Sequence, residues 1–230
     1  AYQERLQLVL VTESWLAQAD NQLLIKTLAI TESSGLEIVS EQVMAHASDT
    51  ETPAGAMAVV SITVPVLPES PDLYLVLDRI SDPGNMGTIL RSSAASGVDG
   101  VLIGPGSVDI YNPKVVRSSM GALLRLPVLS LSWAEIGEVV DGMAVWLAAA
   151  NGRTAYTAVN WQQPSALIIG SEAHGAGQRA YEMAHETVTI PMAAETESLN
   201  AAVAASVILF EAQRQKRIMN GAFSALNNEL

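Results

Sequence analysis

Apolar residues along this chain fall into short runs separated by more polar stretches, and the runs form two groups. QLVLV (7–11), GLEIVS (35–40) and AMAVVSITV (56–64) predict strands, with helical patterns between them over 13–29 and 40–47. LYLVLD (73–78), GVLIG (100–104), PVLSL (127–131), AVWLAAA (144–150), ALIIG (166–170) and TVTIP (187–191) form the second group, separated by helix-length segments. Runs that are apolar on both faces imply a parallel sheet covered by helices on each side, an α/β fold. The segment SLNAAVAASVILFEAQRQKRIMNG predicts one long helix with basic residues at its C-terminal end and a stop at Gly221. Between the two groups, VPVLPESPD packs three prolines into a short polar stretch. The expected division is a small α/β unit over 1–66, a linker over 67–72, the main domain over 73–221 and a tail over 222–230.

Three strand-to-helix edges stand out: DPGNMGTILRSSAASG (82–97), LIIGSEAHGAG (167–177) and IPMAAETESLNAAVAAS (190–206). Such edges are where open α/β sheets hold ligands, so three in one domain point to one composite pocket. In the first, Asn85 stands where a helix beginning at Met86 would be capped, so it is either a cap or a site residue. Arg91 lies within the first two turns, where a cation gains nothing from the helix dipole, and small residues follow it. In the second, Glu172 reads as a loop acid, a cap or a functional carboxylate, and Ser171 sits in no G-x-S-x-G elbow. In the third, Ser198 is a cap candidate, yet an exposed turn of this kind also offers backbone donors and acceptors to an adenine edge.

Composition narrows the classes. The chain has 230 residues, enough for one large or two smaller domains, and no cysteine, which removes disulfides, thiolate nucleophiles and cysteine-based zinc sites. His46, His174 and His185 are not at metal-binding spacing, so no metal site is expected. Pro, Gly and charged residues interrupt every apolar run short of the roughly 18–20 residues that span a bilayer, so no membrane partner is expected and the cytoplasm is the default location. A net charge of −12 argues on its face against nucleic acid. The acidity is concentrated before residue 72, with nine acidic against two basic side chains, whereas fifteen acidic and ten basic follow. Lys114, Arg117 and Arg125, then Arg214, Lys216 and Arg217, are local basic groups that either bind phosphate or lie on solvated helix faces. GNMGTI lacks the full G-x-G-x-x-G fingerprint, which disfavours a dinucleotide-dependent oxidoreductase.

Taken together, the three stretches resemble the three motifs of the SpoU (TrmH-type) RNA ribose 2′-O-methyltransferases of the SPOUT superfamily. Asn85, Gly87 and Arg91 match the first motif, Gly170, Glu172 and Gly175 the second, and Ile190, Pro191, Ser198, Leu199 and Asn200 the third, in the family's order. The resemblance extends over roughly residues 36–218, through VSEQVMAHASDTETPAGAMAVV and YNPKVVRSSMGALLRLPV. It implies a SPOUT domain with a C-terminal trefoil knot, and a front RNA-binding unit of ribosomal-protein L30e-like fold. It further implies a homodimer that uses S-adenosylmethionine to methylate a ribose 2′-hydroxyl, in ribosomal RNA rather than transfer RNA by analogy. By the same resemblance, Arg91, Asn85, Glu172, Ser198 and Asn200 are the catalytic set, and Gly170, Ile190, Met192, Ser198 and Leu199 hold the cofactor. Lys114, Arg117 and Arg125 are the expected RNA contacts.

The chain departs from the pattern at Ala173 and Ala194, where glycine is usual, and the front unit lacks the family's opening strand and helix, which reads as a shortened N-terminus. Two competing readings follow: a non-catalytic RNA-binding protein that keeps the fold, and a transfer-RNA 2′-O-methyltransferase.

Overall fold

The structure is a computed structural model that describes residues 5–31, 35–48, 50–172, 174–193 and 198–219. Ala173, Ala194, Gly221 and the 222–230 tail therefore lie outside the described residues. The chain forms two compact units, Ala1–Val64 and Pro65–Leu230.

In the first unit, strands β1 (Leu6–Thr12), β2 (Leu36–Val39) and β3 (Ala56–Val60) make a sheet in the order β2-β1-β3, with β2 parallel and β3 antiparallel to β1. The helical stretch expected over 13–29 is two helices, α1 (Glu13–Leu16) and α2 (Ala19–Thr27). Thr12 caps the first, and the Asn21 amide takes the Trp15 carbonyl at 2.8 Å, so the chain turns between them. Helix α3 (Glu41–Ala47) is capped by Ser40 and buries Met44. Val9, Val11 and Ile30 form the small core.

The second unit carries seven parallel strands, β4 (Leu73–Asp78), β5 (Gly100–Ile103), β6 (Val128–Ser130), β7 (Ala144–Ala148), β8 (Thr154–Ala155), β9 (Ser165–Gly170) and β10 (Glu186–Thr189). Their order in the sheet is β6-β5-β4-β9-β7-β10-β8. Helices α4 (Pro83–Ser96), α5 (Pro113–Ser118), α6 (Ala122–Arg125), α7 (Trp133–Val139), α8 (Gln178–Met183) and α9 (Ala201–Met219) complete it. Side chains alternate across the sheet as a strand's period of two requires. Leu73, Leu75, Leu77, Leu167 and Ile169 pack with α4 and α9 on one face, and Tyr74, Val76, Ala166 and Ile168 pack with Ile136 and Ala180 on the other. The parallel sheet expected from the apolar runs is present. The stretch 151–164, one of the helix-length separators, holds only the two-residue β8 and turns, and the strand expected over 144–150 ends at Ala148. There Trp161, fully buried, donates its indole N–H to the Tyr156 carbonyl at 2.9 Å, and its ring lies 6.1 Å from that of Trp146 at a 55° tilt.

The last helix locks the unit together. Ala202, Ala205, Ile208, Leu209 and Ala212 are buried in the same cluster as Met86, Ile89 and Leu90 of α4. Gln215 Oε1 accepts from the Trp161 backbone at 3.1 Å. Lys216 Nζ lies 3.8 Å from Asp72 Oδ2, an ion pair too long to be a hydrogen bond. Burial pushes the Lys216 ammonium below its usual pKa, and Asp72 and Asp99 oppose that shift without cancelling it. Arg214 grips Glu211 through two hydrogen bonds of 2.7 and 2.8 Å, which hold the Glu211 carboxyl below the ordinary range. Helix α5 sits tightly on α4, because a Cβ at Gly87 would come within 2.7 Å of Ser118 Cβ.

Candidate functional site

Strands β4 and β9 are neighbours although about ninety residues separate them, and their C-terminal ends meet where Asp78 pairs with Gly170. From β4 the chain runs outward through β5 to β6 on one side, while β7, β10 and β8 lie on the other. The crevice outside the strand ends at such a reversal is the natural ligand position of an open α/β sheet.

Asp82, not Asn85, caps α4. Its Oδ1 accepts the Asn85 backbone N–H at 2.7 Å, and Pro83 occupies the first helical position, where its missing N–H costs nothing. The expected start at Met86 is thus three residues late, and the Asn85 side chain is released from capping. It spans the other two stretches instead. Asn85 Nδ2 donates to Glu172 Oε1 at 2.9 Å, and Asn85 Oδ1 accepts from Asn200 Nδ2 at 3.1 Å. Asn200 Oδ1 in turn accepts the backbone N–H groups of Ala202 and Val203 at 3.0 and 3.2 Å, so Asn200 rather than Ser198 caps α9. Glu172 Oε1 also accepts the Ala201 N–H at 2.8 Å, which places a carboxylate at the positive end of a nineteen-residue helix. Three segments far apart in sequence are clasped by Asn85, Glu172 and Asn200.

Beyond Gly170 the chain curls back on itself. Ser171 and Gly175 form an antiparallel bridge, Gly175 adopts φ +62°, and a Cβ at Gly170 would lie 2.5 Å from the Ala176 nitrogen. Only glycine fits at 170 while the loop keeps this shape. The loop walls a cavity of about 210 Å³ that also takes in the end of β7, residues 148–151, and the first turns of α9. Gly170, Ile190, Met192, Ser198 and Leu199, the five expected cofactor residues, all line it, as does Glu172. Asn85 and Asn200 do not line it; Asn85 bonds the lining Glu172, and Asn200 stands between the lining Leu199 and Ala201.

Arg91 is exposed on α4 and makes no hydrogen bond or ion pair with any described residue. Lys114 and Arg117 lie on α5, and Arg125 ends α6. Lys114 is drawn toward the start of α4, its Cε 4.0 Å from where a Gly84 Cβ would stand.

Several residues of this edge escaped the sequence reading. Asp78 is buried at the end of β4 and accepts the Gly177 N–H at 2.5 Å, while Arg79 adopts φ +58° and reaches the Gly175 carbonyl at 3.3 Å. Tyr181 of α8 and Ala148 to Asn151 line the cavity. Asp78 ends an apolar run just as Gly170 precedes Glu172, which was a usable signal; Tyr181 had none, since only the folded chain brings α8 to the crevice.

The strand ends and their cavity define an α/β protein with a ligand site at the reversal of its sheet order. The sequence profile of the SpoU rRNA Methylase family matches residues 72–210, and the chain belongs to that family. Over 186 residues it is 39% identical to an uncharacterized tRNA/rRNA methyltransferase of Synechocystis sp., covering 78% of this chain and 67% of that protein. It is 36% identical over 180 residues to the 23S rRNA (uridine(2479)-2′-O)-methyltransferase of Streptomyces viridochromogenes, covering 72% of this chain and 62% of that protein. The fold matches the crystal structure of the SpoU methyltransferase AviRb from Streptomyces viridochromogenes in complex with AdoMet, with a TM-score of 0.81 and 28% identity, covering 92% of this chain and 83% of that one. The chain spans 51% to 67% of the length of the first curated relatives it matches. Among the described residues, no helix is long and apolar enough to cross a membrane.

Proposed function

We propose that this protein transfers a methyl group from S-adenosylmethionine to a ribose 2′-hydroxyl of ribosomal RNA. The observation that carries the reading is the clasp of Asn85, Glu172 and Asn200, which joins the three motif segments at the edge of the cavity. The cavity's chemistry suits the cofactor. Ala148, Ala149, Ala201 and Ala204 give a smooth apolar wall for a purine face, and Ser171, Glu172 and Asn151 add polar groups for ribose and amino-acid ends. Gly170, Ile190, Met192, Ser198 and Leu199 would hold it, largely through backbone groups.

S-adenosylmethionine supplies a methyl group already activated by its sulfonium, so the protein's main task is alignment. Orientation is worth roughly 7–11 kcal/mol in well-placed reactions, more than the roughly 10²- to 10⁴-fold of general-base help. The transfer would form one C–O bond and break one C–S bond, releasing the thioether S-adenosylhomocysteine, and the hydroxyl proton would pass to water or a phosphate oxygen. Arg91 is not the proton acceptor, because a guanidinium does not deprotonate in a protein. Its role is to stabilise the developing alkoxide and grip the neighbouring phosphate, for which an exposed and unpaired guanidinium is suited. Asn85, Glu172, Ser198 and Asn200 position the ribose, and Lys114, Arg117 and Arg125 extend the contact to RNA phosphates.

The larger assembly follows the family: a homodimer, a front RNA-binding unit of L30e-like fold, a trefoil knot near the C-terminus and a cytoplasmic setting. The position of β10 between β7 and β8, both of which precede it in sequence, supports a threaded C-terminal path.

Calorimetric titration with S-adenosylmethionine, then mass spectrometry of ribosomal and transfer RNA incubated with protein and cofactor, tests the reading. A 2′-O-methyl mark in ribosomal RNA is expected. Arg91→Ala is expected to lower turnover about 10²- to 10³-fold while cofactor affinity stays near wild type, as for loss of one donor at a developing oxyanion. An Arg91→Ala protein with full turnover removes Arg91 from the mechanism, and a mark confined to transfer RNA overturns the substrate assignment.

A further inference from the structure

Beyond β9, the described residues 171–172 and 174–177 are anchored at two points. One is Glu172, bound to Asn85 and to the start of α9. The other lies across the loop, at the end of β4. Asp78, 1% exposed, accepts the Gly177 N–H through Oδ2, and Arg79 donates from Nη2 to the Gly175 carbonyl. Arg79 Nε is buried 3.5 Å from Asp78 Oδ1 and has no hydrogen-bond partner among the described residues. Two glycines leave room for this one side chain. A Cβ at Gly106 would approach Arg79 Cγ to 3.1 Å, and a Cβ at Gly177 would approach Nη2 to 3.2 Å.

The backbone adds an independent observation. Arg79 stands at φ +58°, a region that glycine enters freely and a long side chain enters at a cost. If the turn after β4 were all that mattered, glycine would serve better at 79. Strain retained at a ligand site indicates that the side chain is being used.

We propose that Arg79 is a positioning residue for the cofactor: with Asp78 it holds the segment 175–177 in the shape that receives S-adenosylmethionine. This rests on the function proposed above. Arg79 does not line the cavity; it acts through the carbonyl of Gly175, which does, while Asp78 holds Gly177 beside the cavity-lining Ala176.

Arg79→Gly separates the two roles, since it relieves the backbone and removes the anchor. The variant is expected to melt below the wild type, because relief at residue 79 does not offset an Asp78 carboxylate left buried without its cation, and the readings that follow are taken well below its melting temperature. Its Gly177 amide is expected to exchange with deuterium about tenfold faster in the cofactor-free protein, and its Kd for S-adenosylmethionine by calorimetry to rise about tenfold, the scale of one charge-assisted hydrogen bond. At saturating cofactor, kcat stays near wild type while KM for the cofactor rises. Arg79→Lys keeps a cation beside Asp78 without the guanidinium fork and falls between the two. An Arg79→Gly protein with wild-type amide exchange and wild-type Kd overturns the proposal. A wild-type protein that binds no S-adenosylmethionine overturns the proposed function instead; the exchange comparison uses no cofactor and tells the two failures apart.

Discussion

Gly87 sets the distance between two helices by the carbon it lacks. Gly87→Ala would drive a methyl into Ser118, whose Cβ lies 2.7 Å and whose carbonyl carbon lies 2.9 Å from the new atom. The expected cost is about 1–3 kcal/mol, read from the urea midpoint, with partial recovery in Gly87→Ala/Ser118→Gly because the backbone contact remains. Lys216 is a different kind of residue, a buried cation whose partner Asp72 keeps 72% of its own side chain in water. Its folded pKa is lowered, so between that value and the ordinary lysine value of about 10.4 the unfolded chain binds more protons and stability rises with pH. Lys216→Met is expected to match or exceed the wild type by about 1 kcal/mol at pH 7, since Asp72 is left solvated. That advantage shrinks toward pH 10, and urea unfolding at the two pH values measures it.

At the scale of elements, the caps decide which side chains remain for chemistry. Asp82→Ala is expected to cost about 1 kcal/mol through the lost cap of α4. Its effect on turnover should exceed that of a generic loss of stability, because Asn85 sits in the turn that Asp82 fixes; thermal melting and initial rates together distinguish the two. The stretch DPGN held two cap-competent residues, and Pro83 was the signal that favoured Asp82. The major strands of the sheet were legible because β4 and β9 are buried on both faces and so read as unbroken apolar runs. Strand β8 was not, because Thr154 and Ala155 are too few to display a period. The motif residues were legible as a set, but their clasp was not. Asn85, Glu172 and Asn200 are 87 and 115 residues from their partners, and separations of that kind carry no local pattern. The contact of Arg79 with Gly175 was hidden for the same reason, lying across 96 residues, whereas Asp78 was marked by the apolar run it ends.

For the whole molecule, the proposed function sets a net charge of −12 against a polyanionic substrate. Under that proposal the basic groups on α5 and α6 are the ones to meet phosphate, because such contacts act over about one Debye length, roughly 8–10 Å in ordinary salt. Replacing Lys114, Arg117 and Arg125 together by Ala is expected to make the slope of log affinity for RNA against log salt shallower by about 2, near 0.7 per lost contact on single strands. Binding measured at several salt concentrations checks it, and an unchanged slope removes these residues from the RNA contact. The indole pair inside the fold gives the cavity a voice of its own. Trp146 and Trp161 are close and tilted, and Trp146 lies two residues before Ala148, where the cavity wall begins. Two transitions held rigidly at that angle produce an asymmetric near-ultraviolet absorption, so the molecule carries an optical gauge next to its ligand space that needs no label and no substrate.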